Sequence, residues 1–326
     1  MKILEFIFFE KKAKDMIKKI ILFLTFIGIV SCEDLITPDL PTNEPILVVD
    51  AWINNLEKSQ VIKLSKTQDY LDSSSPLPAV GANVEIIDEF GNVFFFIENR
   101  AGEYVWSPDE NVKNIGEIGT AFYLNIQFDG KEIVSESFLN RTSTIDSVNF
   151  VRGQVAEDSY YAEFWSREEE GVGDAYWVKT YKNGEKQVGL GDIITCIDAG
   201  ASSEGAIIDG IPFIPPIRRA ITRFDRDDDN KLLSPFVKGD SLYVEIHSVT
   251  YEAFDFLNKT SIQIDRPGGF GELFAVSLSN VPTNLVVTND NKYPVLGFFC
   301  VSAVHGLANT LDDEEIEKIE LYNREW

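Results

Sequence analysis

From residue 46 onward, apolar and polar positions alternate along most of this chain, and that period of two predicts strands. The first runs are 46–53 (ILVVDAWI), 60–67 (QVIKLSKT), 83–88 (NVEIID), 93–98 (VFFFIE), 102–106 (GEYVW), 121–128 (AFYLNIQF) and 131–137 (KEIVSES). Gly91-Asn92 and Asp129-Gly130 sit between neighbouring runs, and the second pair is a strong two-residue hairpin signal. The stretch 69–81 (DYLDSSSPLPAVG) carries Ser and Pro instead of a period and predicts a long exposed loop. Short strands, frequent turns and no helical period make 46–140 a β-sandwich.

Residues 141–310 repeat the pattern with one interruption. Strands are predicted at 144–151, 160–166, 175–181, 241–249 and 292–304. Between the last two, Tyr251, Phe254 and Leu257 recur at helical spacing, with Thr250 ahead as a cap and Glu252 in the first turn. The prolines and glycines of 200–220 exclude one regular element. The acidic tail 311–326 is either a helix with Ile316 and Ile319 on one face or a frayed edge strand. The fold expected is mainly β, with two β-sandwich-like domains, 46–140 and 141–310, the second larger and carrying one short helix. Residues 79–106 resemble the transthyretin-like, or carboxypeptidase-regulatory, form of the Ig-like sandwich. There a Gly-Ala before a strand, a Gly turn and a Gly-x-Tyr recur in this order.

The start of the chain follows a different rule. Lys18 and Lys19 precede an apolar run at 20–30. That run is shorter than the roughly 20 residues a spanning helix needs and fits a signal peptide. Ile29, Val30 and Ser31 before Cys32 resemble a bacterial lipobox. The implied chemistry is cleavage before Cys32, a thioether-linked diacylglycerol on its sulfur and acylation of the new amino group, an anchor of several chains. An ordinary signal peptide that contains a cysteine is the competing reading. The signal pattern begins at Met16, so 1–15 read either as an upstream extension or as a real lengthening of the charged region, and on both readings 1–31 stand outside the fold. Residues 32–45 form a proline-containing tether. Glu33 and Asp34, directly after the cysteine, resemble a sorting signal for the outer face of the outer membrane; the other reading is a polar tether.

Composition narrows the chemistry. A formal charge of −24 argues against nucleic acid and against an anionic membrane surface as partners. Cys196 and Cys300 lie in apolar strands, as buried thiols or, if bridged, as an export-compartment disulfide. His247 and His305 are the only two histidines, which restricts imidazole metal sites and triads. No phosphate loop, dinucleotide fingerprint, Cys-x-x-Cys or Gly-x-Ser-x-Gly occurs, and no catalytic residue is assigned. Asp225, Asp227 and Asp229 occupy positions one, three and five of a calcium loop, but Phe236 stands at position twelve, where a bidentate Glu is needed. The alternative for them is a solvated acidic loop, and Glu168, Glu169 and Glu170 read as a solvated turn. Tyr160, Tyr161, Trp165, Tyr176 and Trp177 must divide between the two faces of their strands, half to a core and half to a surface open to binding.

Three stretches carry a further resemblance: LYVEIHSVTYEAFDFLNKTSIQ, VPTNLVV and YPVLGFFCVSAV. A strand ending near a serine, an aromatic helix, an Asn-centred stretch and an LGYF-x-x-S-A strand resemble the core of the DUF4249 family. Phe298 stands where that family often has Tyr or Trp, and the acidic turn after FWS lacks the family's Asp-Pro. The family groups outer-membrane lipoproteins of Bacteroidota that look like partners of TonB-dependent receptors by genomic association. The resemblance implies no enzymatic activity and no cofactor beyond the lipid on Cys32. The expectation is a surface-exposed lipoprotein, anchored in the outer membrane and facing the exterior, that serves a TonB-dependent transporter as accessory or ligand-binding partner. The alternative is a structural or adhesive surface protein contacting proteins or glycans.

Overall fold

Eight strands follow one another without an intervening helix: β1 (Leu47–Asn54), β2 (Gln60–Lys66), β3 (Leu77–Pro78), β4 (Asn83–Asp88), β5 (Val93–Arg100), β6 (Glu103–Trp106), β7 (Ala121–Phe128) and β8 (Lys131–Phe138). These details come from a computed structural model, which describes residues 44–69, 72, 74–153, 159–201, 208–266 and 279–324, together with Met16, Lys18 and Lys19. Cys32, Glu33, Asp34 and the tether lie outside the described residues. The remaining elements are β9 (Ile145–Arg152), β10 (Tyr160–Ser166), β11 (Ala175–Lys182), β12 (Glu185–Lys186), β13 (Ile194–Ile197), α1 (Pro215–Arg219), β14 (Ser241–Val249), α2 (Tyr251–Ile264), β15 (Val286–Val287), β16 (Val295–Ser302), β17 (Val304–Thr310) and α3 (Asp313–Arg324).

The chain is mainly β. Its largest sheet runs in the order β15-β8-β7-β4-β5-β6-β2-β1-β16, with β3 on β2. Alternation decides what it encloses: Val49, Ile62, Ile86, Phe94, Tyr104, Phe122, Leu124 and Val301 turn inward to one core. The β7–β8 hairpin turns at Asp129 and Gly130, both at positive φ (50° and 71°), the backbone of the tight turn that suits twisted strands.

A boundary at 140 is expected from the sequence, yet the strand order crosses it. β16 pairs in parallel with β1, from Leu47↔Val295 to Asn54↔Ser302, and β15 pairs with β8. Residues 44–326 accordingly group as one unit. The sheet bends until β8 and β16 almost meet, and side chains bridge the gap. The Asn284 amide donates to Phe299 O (2.8 Å) and accepts from Phe299 N (3.1 Å), mimicking a strand. Thr283 Oγ1 donates to Gly297 O (2.7 Å), and Ser137 Oγ accepts from Val301 N (2.9 Å). Asn284→Ala would strand two backbone groups of the fully buried Phe299. Its expected cost is about 2–3 kcal/mol, read from the urea midpoint.

The second part holds a sheet of order β12-β11-β14-β17, with β13 on β11, and a separate β9–β10 ribbon. The ribbon, α3 and one face of the β11–β14 sheet share a core that includes Val148, Phe164, Tyr176, Val244 and Ile319. Between helix and strand for the acidic tail, the helix forms: Asp312 Oδ1 accepts from Glu315 N (2.9 Å), and Ile319 is buried. α2 begins where Thr250 Oγ1 accepts from Ala253 N (3.2 Å) and buries Phe254 and Leu257; Tyr251, expected on the same face, is exposed. The closing strand predicted at 292–304 is β16; β17, which follows from Val304 and joins a different sheet, lies almost wholly beyond that prediction.

Candidate functional site

The division of aromatics comes out as alternation requires. Tyr160 and Tyr176 enter the core, while Tyr161 and Trp165 stay on the outer face of β10. α1 lies on that face. Pro215 and Pro216 start the helix, where missing amide donors cost nothing, and Arg218 and Arg219 form its last turn. The Arg218 guanidinium stacks 3.5 Å above the Trp165 ring, and Arg219 lies 5.7 Å from the Tyr161 ring. Glu163 holds the group together: its oxygens accept from Trp165 Nε1 (3.0 Å) and from Arg219 Nε (3.0 Å). Arg218 Nη1 stands 4.0 Å from the same carboxylate. One carboxylate therefore serves two guanidinium groups. Arg218 is buried with Nε and Nη1 lacking a hydrogen-bond partner among the described residues.

Beside this group opens a cavity of about 410 Å³, lined by Tyr160, Tyr161, Arg152, Arg219, Phe224, Leu232, Leu233 and neighbours. Its walls are pinned by side chain to backbone bonds. Thr222 Oγ1 donates to Ala162 O (2.8 Å) and accepts from Ala162 N (2.9 Å), and Ser234 Oγ accepts from Tyr160 N (3.1 Å). An apolar, aromatic floor with arginines at the edge suits a small ligand with a hydrophobic body and an anionic group. Four separated segments build it, so no single motif announces it in the sequence; the alternation of 160–166 is the only local signal.

The two histidines have structural work. His247 Nε2 lies 3.0 Å from Glu245 Oε2 and Nδ1 lies 3.0 Å from Ser302 Oγ, so the imidazole ties β14 to β16. Burial, aided by the Lys179 charge, pushes this imidazole down to about 3 and keeps it neutral against the pull of Glu245. Burial opposes the charge on Glu245, but hydrogen bonds from His247 and Tyr181 and the Lys58 charge keep it ionised. Serine, histidine and carboxylate in line have the look of a hydrolytic triad. Here Ser302 is buried and its Oγ lies 3.1 Å from Ile53 O, so the line works as a cross-link between sheets. His305 Nδ1 accepts from Ile145 N (2.9 Å).

Cys196 and Cys300 are buried free thiols, in two different cores. The Asp225–Asp229 loop uses its oxygens internally: Asp227 Oδ1 accepts from the amides of Asp229 (3.1 Å) and Lys231 (2.8 Å), with Asn230 at φ 63°. Asp225 pairs with Arg223 at 3.4 Å. Among the described residues no group of three or more His, Cys, Asp or Glu is placed to hold a metal. The solvated turn expected at 168–170 needs correction at its first residue. Glu168 is 2% exposed, because its own amide bonds to Ile211 O (3.2 Å) and draws the side chain under the 208–213 segment. One of its oxygens accepts from Gly210 N (3.3 Å); the other has no partner among the described residues. Burial first, then the charges of Asp198, Asp174 and Asp209, push this carboxyl up to about 8.

Among the described residues no helix is long and apolar enough to cross a membrane. No curated protein matches the chain. A family model described as a domain of unknown function, DUF4249, matches residues 33–307, which takes in the large sheet, the cavity, the Asn284 bridge and the second sheet as far as the middle of β17. The chain belongs to the DUF4249 family.

Proposed function

We propose that this protein is a lipid-anchored surface lipoprotein of the outer membrane that binds a small ligand for a TonB-dependent transporter. The observation that carries the anchor is the run from Lys18 to Cys32: charged start, apolar stretch, Ile29-Val30-Ser31 and then cysteine. The cavity beside Arg219 supports the binding role. Glu33 and Asp34 are the residues that would direct the anchored body to the outer face. In this reading the 46–140 strands form a transthyretin-like half, and 141–310 form the larger half that carries the cavity.

Cys32→Ser tests the anchor. Without its acyl chains nearly all of the protein moves from the membrane to the soluble fraction while its melting temperature stays unchanged. Retention of the variant on membranes after a carbonate wash would sink the reading. Purification of the anchored protein from native membranes then tests the partner: a co-purifying TonB-dependent receptor is the expected result. A second reading, a structural or adhesive protein, draws on Phe95 and Ile97, which are 60% and 69% exposed on the outer face of β5. Normal nutrient uptake with altered surface attachment in a deletion strain would favour it.

A further inference from the structure

The outer face of β1 and β16 and the free face of the β11–β14 sheet meet at a junction that the proposed cavity does not use. Trp52 and Trp177 meet there edge to face with centroids 4.9 Å apart, and Trp52 stacks on Phe298 at 5.6 Å. Lys179 Nζ lies 3.8 Å from the centre of the Trp177 ring and Lys186 Nζ 5.6 Å from it. Lys58 approaches from the loop after β1 and reaches Glu245 at 3.8 Å.

The charges at this junction do not balance. Glu245 already accepts from Tyr181 (3.0 Å), contacts His247 (3.0 Å) and faces Lys58. Among the described residues Lys179 has a ring contact and no carboxylate within 4.0 Å. Asp50 is the other acid whose charge reaches Lys179 and Lys186. Four ammonium groups (Lys58, Lys63, Lys179 and Lys186) thus reach Glu245 and Asp50, and among them Lys63 has a further carboxylate, Glu103 at 3.3 Å, in a chain of net charge −24, the reverse of the protein's overall balance. Trp177 adds an indole N–H that is shielded from solvent and has no acceptor among the described residues. Burial first, then the neighbouring Lys186 charge, pushes the Lys179 ammonium down to about 7, so an anion brought to it would restore its charge. A buried donor without an acceptor and an ammonium with no carboxylate in contact call for the same partner.

We propose that this junction binds a small soluble molecule bearing a carboxylate or phosphate group, held by Lys179 and Lys186 beside Trp177. Lys58, Lys186 and Asp50 reach solvent, which gives the anion its approach, and Trp52 offers an apolar surface to the body of the ligand. The site is separate from the cavity beside Arg219 and does not depend on the anchor.

The test is thermal unfolding of the purified protein with inorganic phosphate or citrate, at constant ionic strength set by chloride, with tryptophan emission followed in parallel. The expected result is a saturable rise in melting temperature and a change in emission. Lys186→Met, at an exposed position, and Lys179→Met should each weaken the apparent affinity by about tenfold or more, the scale of one charge-assisted hydrogen bond. Lys259→Met, at a lysine paired with Asp255 on α2, should leave it unchanged. Equal responses in the wild type and both junction variants would reduce the effect to non-specific salt binding and overturn the proposal. Absence of a response to either anion would overturn it too, as would binding confined to vesicles of anionic lipid.

Discussion

Gly297→Ala should destabilise the protein by about 4 kcal/mol or more, a fall of about 10 °C in melting temperature for a chain of this size. Two separate penalties add at this residue. Its φ is 100°, in a region that L side chains avoid, and a methyl group there would overlap the backbone carbonyl of Val49. Gly297 is the residue opposite Val49 in the parallel β1–β16 pair, and its own carbonyl accepts from Thr283. Neither neighbour can withdraw, because each belongs to the pairing that completes the large sheet. Gly91→Ala is the internal control. Gly91 has φ 87° with nothing within 4 Å of the added carbon, so it should cost only the backbone term, about 1–2 kcal/mol. Equal losses in the two variants would show that β1 does not press on Gly297 as described.

Glu168→Gln should abolish a pH dependence. The carboxyl titrates near 8 in the folded protein, against an ordinary value of 4.5. Between those values the folded state holds a proton that the unfolded chain has released. The wild type is therefore most stable, as far as this group is concerned, below pH 4.5, and it loses that stability as the pH rises to 8. The neutral amide removes the loss. At pH 4.5 the two proteins should unfold alike, and at pH 8.5 to 9 the variant should be more stable by roughly 3 kcal/mol, at 1.36 kcal/mol per unit with a reduction for relaxation around the charge. Matched urea titrations at the two pH values measure it. A variant that is less stable than the wild type at pH 9 would mean that Glu168 is held ionised by a partner.

Local rules made much of this fold legible. Alternation alone marks 83–88, 121–128, 160–166 and 241–249 as the strands they are, because every second side chain of each enters a core. Asp129-Gly130 marks its turn because both residues sit at positive φ. Thr250 marks the start of α2 through one side-chain bond. What escaped was made of long-range geometry. β16 is buried on both faces, so it reads as an apolar run with no direction, and nothing in it says that its partner is β1. β17 (VHGLANT) has no clean period; Gly306 is small because the Tyr243 ring lies where a side chain would go. Glu168 reads like Glu169 and Glu170 and differs only in lying under a distant segment. The candidate sites share this property: Lys179 and Lys58, or Tyr161 and Phe224, become neighbours only when the sheets assemble.

The bridging of β8 to β16 by Ser137, Thr283 and Asn284 also sets an order of events in time. The sheet that begins at residue 47 gains its last strand at 295–302, near the far end of the chain. Closing so long a loop is entropically slow, and contacts of this separation form late. Until that strand arrives, β1 and β8 are left as open edges, able to pair with other chains. A chain that crosses a membrane from its N-terminus would therefore spend the whole of its transit with its first half unfinished. Any truncation before residue 302 would disable the half it leaves intact.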